Sequence, residues 1–434
     1  MKKIIALVIA FVLLLGLVAC GGEQTQNGSG NGKFVVGYGE VDITPTSEVH
    51  LGSFQNAMER VSTGVRNEFY AKTLAFTDAD GNTLLIIITD LSWGHTNQLS
   101  WLRAKIPQLY DIPAENILLG GTHNHNGPEW MGEGYNQAKN QTYFNSIFFP
   151  GVLQSVKLAL EDRSEAQMMI GADKTEGLTF VRRYIREDGN LTGSGHQDSY
   201  VPSDSPIDHY ESEGDEEAQF LKIVREGKKD VLLAQWQCHA NLYGNTTIAG
   251  TDWVGPMRDK MEEELNCHVI YMNGAAGNMN PNTKGKFTAD YPNVNSCDDK
   301  GEMIADAFIE MVTSDGFFTN VASGKVQVKQ VIYIGKQYST SAAWEGEMNS
   351  VVIGDLGLVT MPVEMFAESG VAIKEGSPCD MTLIMGYTNG ICSYAPTRIA
   401  VENGGYEVIG GRAQEDTAEK MVEIYINGLK ELHG

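Results

Sequence analysis

Four stretches of the chain are apolar at almost every position: "TLLIIIT" (83–89), "NILLGG" (116–121), "VLLAQW" (231–236) and "MTLIMGY" (381–387). A strand with one wet face alternates apolar and polar residues, so unbroken runs of this length predict strands buried on both faces. "KFVVGYGEVDITP", "FYAKTLAFTD", "CHVIYMNGAAG" and "SVVIGDLGLVTMP" read as further strands. Between them the apolar positions change to helical spacing, predicting helices near 95–109, 143–162, 253–265, 363–375 and 412–432. Strands that must be covered on both sides, alternating with amphipathic helices, imply an α/β fold of mixed β-sheets covered by helices, in one large domain. No internal repeat is visible. The polar, acidic segment 187–217 reads as a long excursion from this pattern.

The ends of the buried runs carry the polar residues that invite a chemical reading. "GGTHNHNGP" (120–128) follows a strand at once and sets His123 and His125 two residues apart, which on an extended backbone puts both on one face. His239 follows "VLLAQWQC", and "VIYMNGAAGNMNPN" ends a strand in Asn273, Asn278, Asn280 and Asn282. Glu364 stands just past Met361–Pro362, and Tyr394 lies a few residues beyond the "MTLIMGY" strand. In α/β folds, sites collect where loops converge at strand ends. Each residue also has a plain structural reading. A single histidine can be a satisfied core residue, Glu364 can favour a helix N-terminus, and Tyr394 can be a buried aromatic with a bonded hydroxyl.

Composition then narrows the class. "MKK" followed by "IIALVIAFVLLLGLVAC" has the character of a signal peptide over residues 1–19 ending in a bacterial lipobox, with Cys20 as the lipidated first mature residue. The alternative is an uncleaved membrane anchor. "GGEQTQNGSGNG" forms a flexible tether, giving segments of 20–33 for lipidated residue and tether and 34–434 for the domain. The expected location is the bacterial cell surface, anchored to the membrane and facing outward. The net charge of −24, or −26 without Lys2 and Lys3, argues against nucleic acid as a partner and against strong adsorption to anionic lipid. Besides Cys20 there are Cys238, Cys267, Cys297, Cys379 and Cys392, scattered and without CxxC spacing. Neither a disulfide framework nor a thiolate zinc site is indicated, although Cys379 and Cys392 could pair. A metal here would need histidine, carboxylate or other oxygen ligands.

From Val35 to about Tyr406 the order of motifs resembles the N-terminal catalytic domain of the neutral/alkaline non-lysosomal ceramidases. The pieces are "VGYGEVDITP", "GTHNHNGP", "FVRR", "CHANLYGNTT" with "GTDWVG", "GAAGNMNPN", "MPVEMF" and "CSY" with "GGYE". The resemblance implies a zinc-dependent amidohydrolase acting on the N-acyl bond of ceramide or a related N-acyl lipid. It places the zinc ligands on His123, His239, Glu364 and Tyr394, and the catalytic histidine on His125. Arg182 matches an active-site arginine, with Arg183 taking its place if the register slips by one, and Tyr406 matches an active-site tyrosine. Otherwise Arg182 and Arg183 would be a solvated basic pair.

The chain departs from the family at two points. Asn280 in "GNMNPN" stands where the family has a serine in a "GDxSPN"-like turn, so a nucleophilic hydroxyl is missing there and an amide could only orient substrate. The sequence also stops soon after the closing helix, so no C-terminal Ig-like domain is expected. Trp130–Met131 and Phe148–Phe149 are candidates for an acyl-chain groove or for ordinary packing. A zinc hydrolase for a different amide or ester (an N-acyl amino acid, a peptidoglycan fragment or an acylated sugar) and a non-catalytic ligand-binding lipoprotein are the competing functions.

Overall fold

The computed structural model describes residues 32–53, 60–92, 96–129, 138–193, 205–282, 296–336, 343–390, 393–409, 411 and 416–434. The leader, Cys20, the tether as far as residue 31, Trp130–Met131 and Cys392 lie outside the described residues.

Two sheets pack face to face. The larger has nine strands in the order 268–273, 231–236, 217–225, 164–174, 35–42, 70–77, 83–89, 117–121, with 319–321 pairing to 164–174. The smaller has four, in the order 326–336, 343–353, 356–360, 381–385. Val36, Leu74, Ile86, Leu233 and Ile270 from the first meet Val351, Leu358 and Leu383 from the second in one buried core. Helices close the outer faces. Thr96–Tyr110 and Phe149–Glu161 cover Ala71, Ala75, Leu85 and Ile87. Val254–Leu265 and Cys297–Thr313 cover Phe220, Leu232 and Val269. Ala367–Gly376 and Thr417–His433 cover Val352, Val359 and Ile384.

The layers explain the unbroken apolar runs. In Thr83–Thr89, Leu84, Ile86 and Ile88 face the second sheet while Leu85 and Ile87 face helices, so neither side meets water. The helix expected over 143–162 is regular only from Phe149 to Glu161, and a π-helical segment, Phe144–Phe148, precedes it. Pro150 has no N–H to continue the ladder backwards, which accommodates the wider turn. Phe148 and Phe149 are buried in the core, which settles them as packing residues.

The same connectivity occurs three times, although no sequence repeat announces it. An antiparallel hairpin leads through a helix to a strand parallel to the hairpin's second arm. The units are 70–77/83–89 with 117–121, 217–225/231–236 with 268–273, and 343–353/356–360 with 381–385. The carboxyl ends of all three parallel pairs meet. Gly386 N donates to Asn273 O at 2.8 Å and Asn389 N to Leu119 O at 2.9 Å. The Asn273 amide donates to Thr122 O at 3.3 Å. A Cβ on Gly386 would fall 2.4 Å from Gly274 O, so only glycine allows this closure. The exits that carry His123, His239 and Glu364 are thereby sent toward one point.

Candidate active site

His123, His125 and His239 arrive on two chain segments that run side by side. Asn124 and Ala240 form a parallel bridge, and His125 N donates to Ala240 O at 3.0 Å. The Arg60 guanidinium caps His125 O at 3.2 Å and Gly52 O at 2.8 Å. The backbone at His123 is not extended: its φ is +61°, a left-handed conformation uncommon outside glycine and typical of constrained functional positions. The two imidazoles nevertheless meet. Their Nε2 atoms are 3.2 Å apart, and the rings stand at 89° with centroids 4.7 Å apart. The His123 ring is fixed further by stacking on Tyr387 at 3.8 Å.

Hydrogen bonds on the far side of each ring set its tautomer. His239 Nδ1 lies 2.7 Å from Ala276 O and 3.1 Å from Met279 O, and His123 Nδ1 lies 3.3 Å from Ser92 O. Carbonyls only accept, so Nδ1 carries a proton in both, which in the neutral imidazole leaves Nε2 as the ligand atom. Both Nε2 atoms face Glu364 Oε2, at 3.4 Å each. Burial and the nearby Arg182 charge push His239 down to about 4, so it is neutral at pH 7.

This donor set fits a divalent cation. Ligand atoms of His123, His125 and His239 all lie within 4.8 Å of one another in a fully buried cluster. Among the described residues, no donor hydrogen-bonds Glu364 Oε2, which is buried. A buried carboxylate oxygen that accepts no hydrogen bond and faces imidazole nitrogens on two sides is balanced by a positive charge placed between them. The carbonyls behind the rings are the outer-shell partners that metal-binding histidines require. Nitrogen and oxygen donors without thiolate suit zinc.

Glu364 and Tyr394 are held as neighbours by a two-residue parallel ladder, 364–365 against 394–395. Glu364 therefore does not open a helix; the helix begins at Ala367. The 276–279 turn packs so closely against this ladder that a Cβ on Gly277 would lie 2.6 Å from Glu364 O. Arg182 links the parts of the site. Its Nη2 donates to Tyr394 Oη at 3.0 Å, its Nη1 lies 3.4 Å from His239 Nε2 and 3.5 Å from Asn280 Oδ1. Tyr406 packs edge-on against Tyr394 with centroids 5.6 Å apart. His123, His125, His239 and Glu364 thus share one centre, and Arg182, Tyr394 and Asn280 line its side, with Tyr406 packed against Tyr394.

Arg182 and Arg183 are both buried, which overturns their reading as a solvated pair. Glu407 is the reason. This fully buried carboxylate accepts from Arg182 Nε at 2.7 Å and from Arg183 Nη1 at 2.8 Å. Burial opposes its charge, but the two guanidiniums hold its pKa below the ordinary value. Arg183 turns away from the histidines to Glu211 and to Gly404 O at 2.8 Å, so Arg182 is the member facing the site. Glu407 was not singled out in the sequence, although it follows Tyr406 directly. Asn278 was undervalued: its Oδ1 accepts from Ala367 N at 2.9 Å and its amide donates to Glu368 at 3.0 Å, fixing the turn that carries Asn280. Glu407→Gln is expected to destabilise the fold by about 3–5 kcal/mol, because one buried guanidinium loses its countercharge. Urea unfolding measures this, and a variant as stable as the parent would remove Glu407 from that role.

Comparison with known proteins places this geometry in context. A family model described as neutral/alkaline non-lysosomal ceramidase, N-terminal, matches residues 34–345. Neutral ceramidase B of Dictyostelium discoideum is 29% identical over 118 residues, a match covering 24% of this chain and 15% of that relative. The crystal structure of neutral ceramidase from Pseudomonas aeruginosa superposes with a TM-score of 0.72 at 16% identity, covering 92% of this chain and 74% of that one. A ceramidase complexed with C2 superposes with a TM-score of 0.71, also at 16% identity, covering 92% and 75%. The likeness of fold extends past the matched segment, and most of the chain falls under the family model: this protein belongs to the neutral/alkaline non-lysosomal ceramidases.

Proposed function

We propose that the protein is an exported, zinc-dependent amidohydrolase that cleaves the N-acyl bond of ceramide or a related N-acyl lipid, with water as the nucleophile. The observation that carries this reading is the convergence of His123 Nε2 and His239 Nε2 on the undonated Glu364 Oε2, each at 3.4 Å. His123, His239, Glu364 and Tyr394 would hold the zinc. Bound there, zinc supplies hydroxide from water near neutral pH and polarises the scissile carbonyl.

The remaining steps belong to side chains. His125 is buried beside His123, and burial followed by the neighbouring imidazoles keeps its pKa well below the ordinary value, so it enters the reaction neutral. It takes the proton from the attacking water and delivers it to the leaving nitrogen as the C–N bond breaks, giving carboxylate and amine. Arg182, permanently charged and steered by Glu407, stabilises the developing oxyanion together with the Tyr406 hydroxyl. Asn280 contributes a hydrogen-bonding amide at the substrate side, since it has no hydroxyl to attack with. Export and attachment through lipidated Cys20 complete the proposal.

Asn280 in the position of the family serine favours one second reading, a zinc hydrolase acting on a different amide or ester. A panel of N-acyl sphingoid bases and N-acyl amino acids, offered with and without chelator, separates the two. Hydrolysis of the sphingoid substrates, lost on chelation and restored by zinc, is the expected result. Turnover confined to the amino acid derivatives would replace the substrate class, and turnover indifferent to complete metal removal would end the zinc reading.

A further inference from the structure

A cavity of about 600 Å³ lies away from the histidines, at the other end of the large sheet. Asp230, Val231 and Cys267 line it where the strands Val231–Trp236 and His268–Asn273 begin. The same strands end toward His239 and Gly274, and six residues of strand span roughly 20 Å. The cavity is therefore not a subsite of the catalytic centre. Its volume lies within the range of small-molecule pockets, about 300–1,000 Å³.

The lining combines two chemistries. Lys222, Lys228 and Lys229 share the wall with Asp230, its one acidic group, while Leu232, Leu265, Val312 and Phe318 supply an apolar part. The lysines stand out against the rest of the chain, which carries 56 acidic residues to 32 basic. With that surplus a lysine readily finds a carboxylate, and Lys228 does so with Asp162 at 2.9 Å. Among the described residues, Lys222 and Lys229 form no ion pair. Lys222 is instead held over the Phe318 ring, its Nζ 5.6 Å from the centroid. Two ammonium groups outside any ion pair, beside an apolar part of the wall, match a ligand with an anionic head and a hydrocarbon body. A polyanion such as nucleic acid is disfavoured by the overall charge of −24.

We propose that this cavity binds a single-chain anionic amphiphile, its head held by Lys222 and Lys229 and its chain laid along Leu232, Val312 and Phe318. The proposal does not depend on the catalytic reading. It is tested on the purified protein by calorimetric titration of laurate into the parent, a Lys222→Glu/Lys229→Glu variant and a Val312→Asp variant. Circular dichroism monitors the fold of each. The parent is expected to take up laurate, and the lysine variant to bind at least about tenfold more weakly, as charge-assisted contacts turn repulsive. Val312→Asp is expected to weaken laurate as well. Dodecyltrimethylammonium is expected not to displace laurate, and inorganic phosphate to bind far more weakly than laurate. Phosphatidylglycerol vesicles that displace laurate would show that a lipid headgroup with its chain can supply the same chemistry. Laurate binding unchanged in the lysine variant, equal binding of the cationic chain, or phosphate binding as tight as laurate would overturn the proposal.

Discussion

Replacing His239 by alanine is expected to strip the protein of bound zinc and to bring hydrolysis down to background. The imidazole does three things at once. It offers one of the two Nε2 lone pairs that face Glu364, it lies 3.4 Å from the Arg182 guanidinium, and its Nδ1 ties the ring to the 276–279 turn. Loss of an outer-shell partner alone typically costs roughly 10–100-fold in metal affinity, and loss of a ligand costs more. Metal content after dialysis, measured beside turnover, checks this. A His239→Ala protein that kept one zinc per chain and its activity would dissolve the proposed centre.

Much of this centre was legible in the sequence because its residues sit where buried strands stop. His123, His125, His239 and Glu364 each follow an apolar run by a few residues, and the fold brings those exits together. The strands most easily read were those covered on both faces. Ser164–Lys174, Glu217–Arg225 and Val326–Lys336 were not singled out, since each mixes polar positions that are exposed or half-buried with buried apolar ones. The helix Cys297–Thr313 also escaped notice, though Ser296 caps it by accepting from Asp299 N.

What the sequence withheld was long-range compensation. A glutamate after "GGY" looks like any surface acid until Arg182 and Arg183, more than 200 residues earlier, close on it. The threefold recurrence of hairpin, helix and parallel strand was hidden for a related reason. Packing demands only apolar character and size of those strands, so their sequences can diverge while the connectivity stays. The convergence of exits is a property of that connectivity.

One ambiguity of the centre has a decisive measurement. His125 lies as close to the other imidazoles as a ligand would, with its Nε2 3.2 Å from His123 Nε2, whereas the proposed mechanism uses it to carry a proton. The carboxylate of Glu364 faces the Nε2 atoms of His123 and His239 at 3.4 Å each, as a third ligand beside two imidazoles would. The Nδ1 atoms of His123 and His239 are oriented by backbone carbonyls in the manner of metal ligands. A proton carrier needs freedom to alternate between charged and neutral forms, which a ligand bound through the same nitrogen lacks. His125→Ala is therefore expected to keep its zinc and to lose about 10²–10⁴-fold in turnover. Zinc lost in step with activity would instead make His125 a third imidazole ligand and leave the proton to another group.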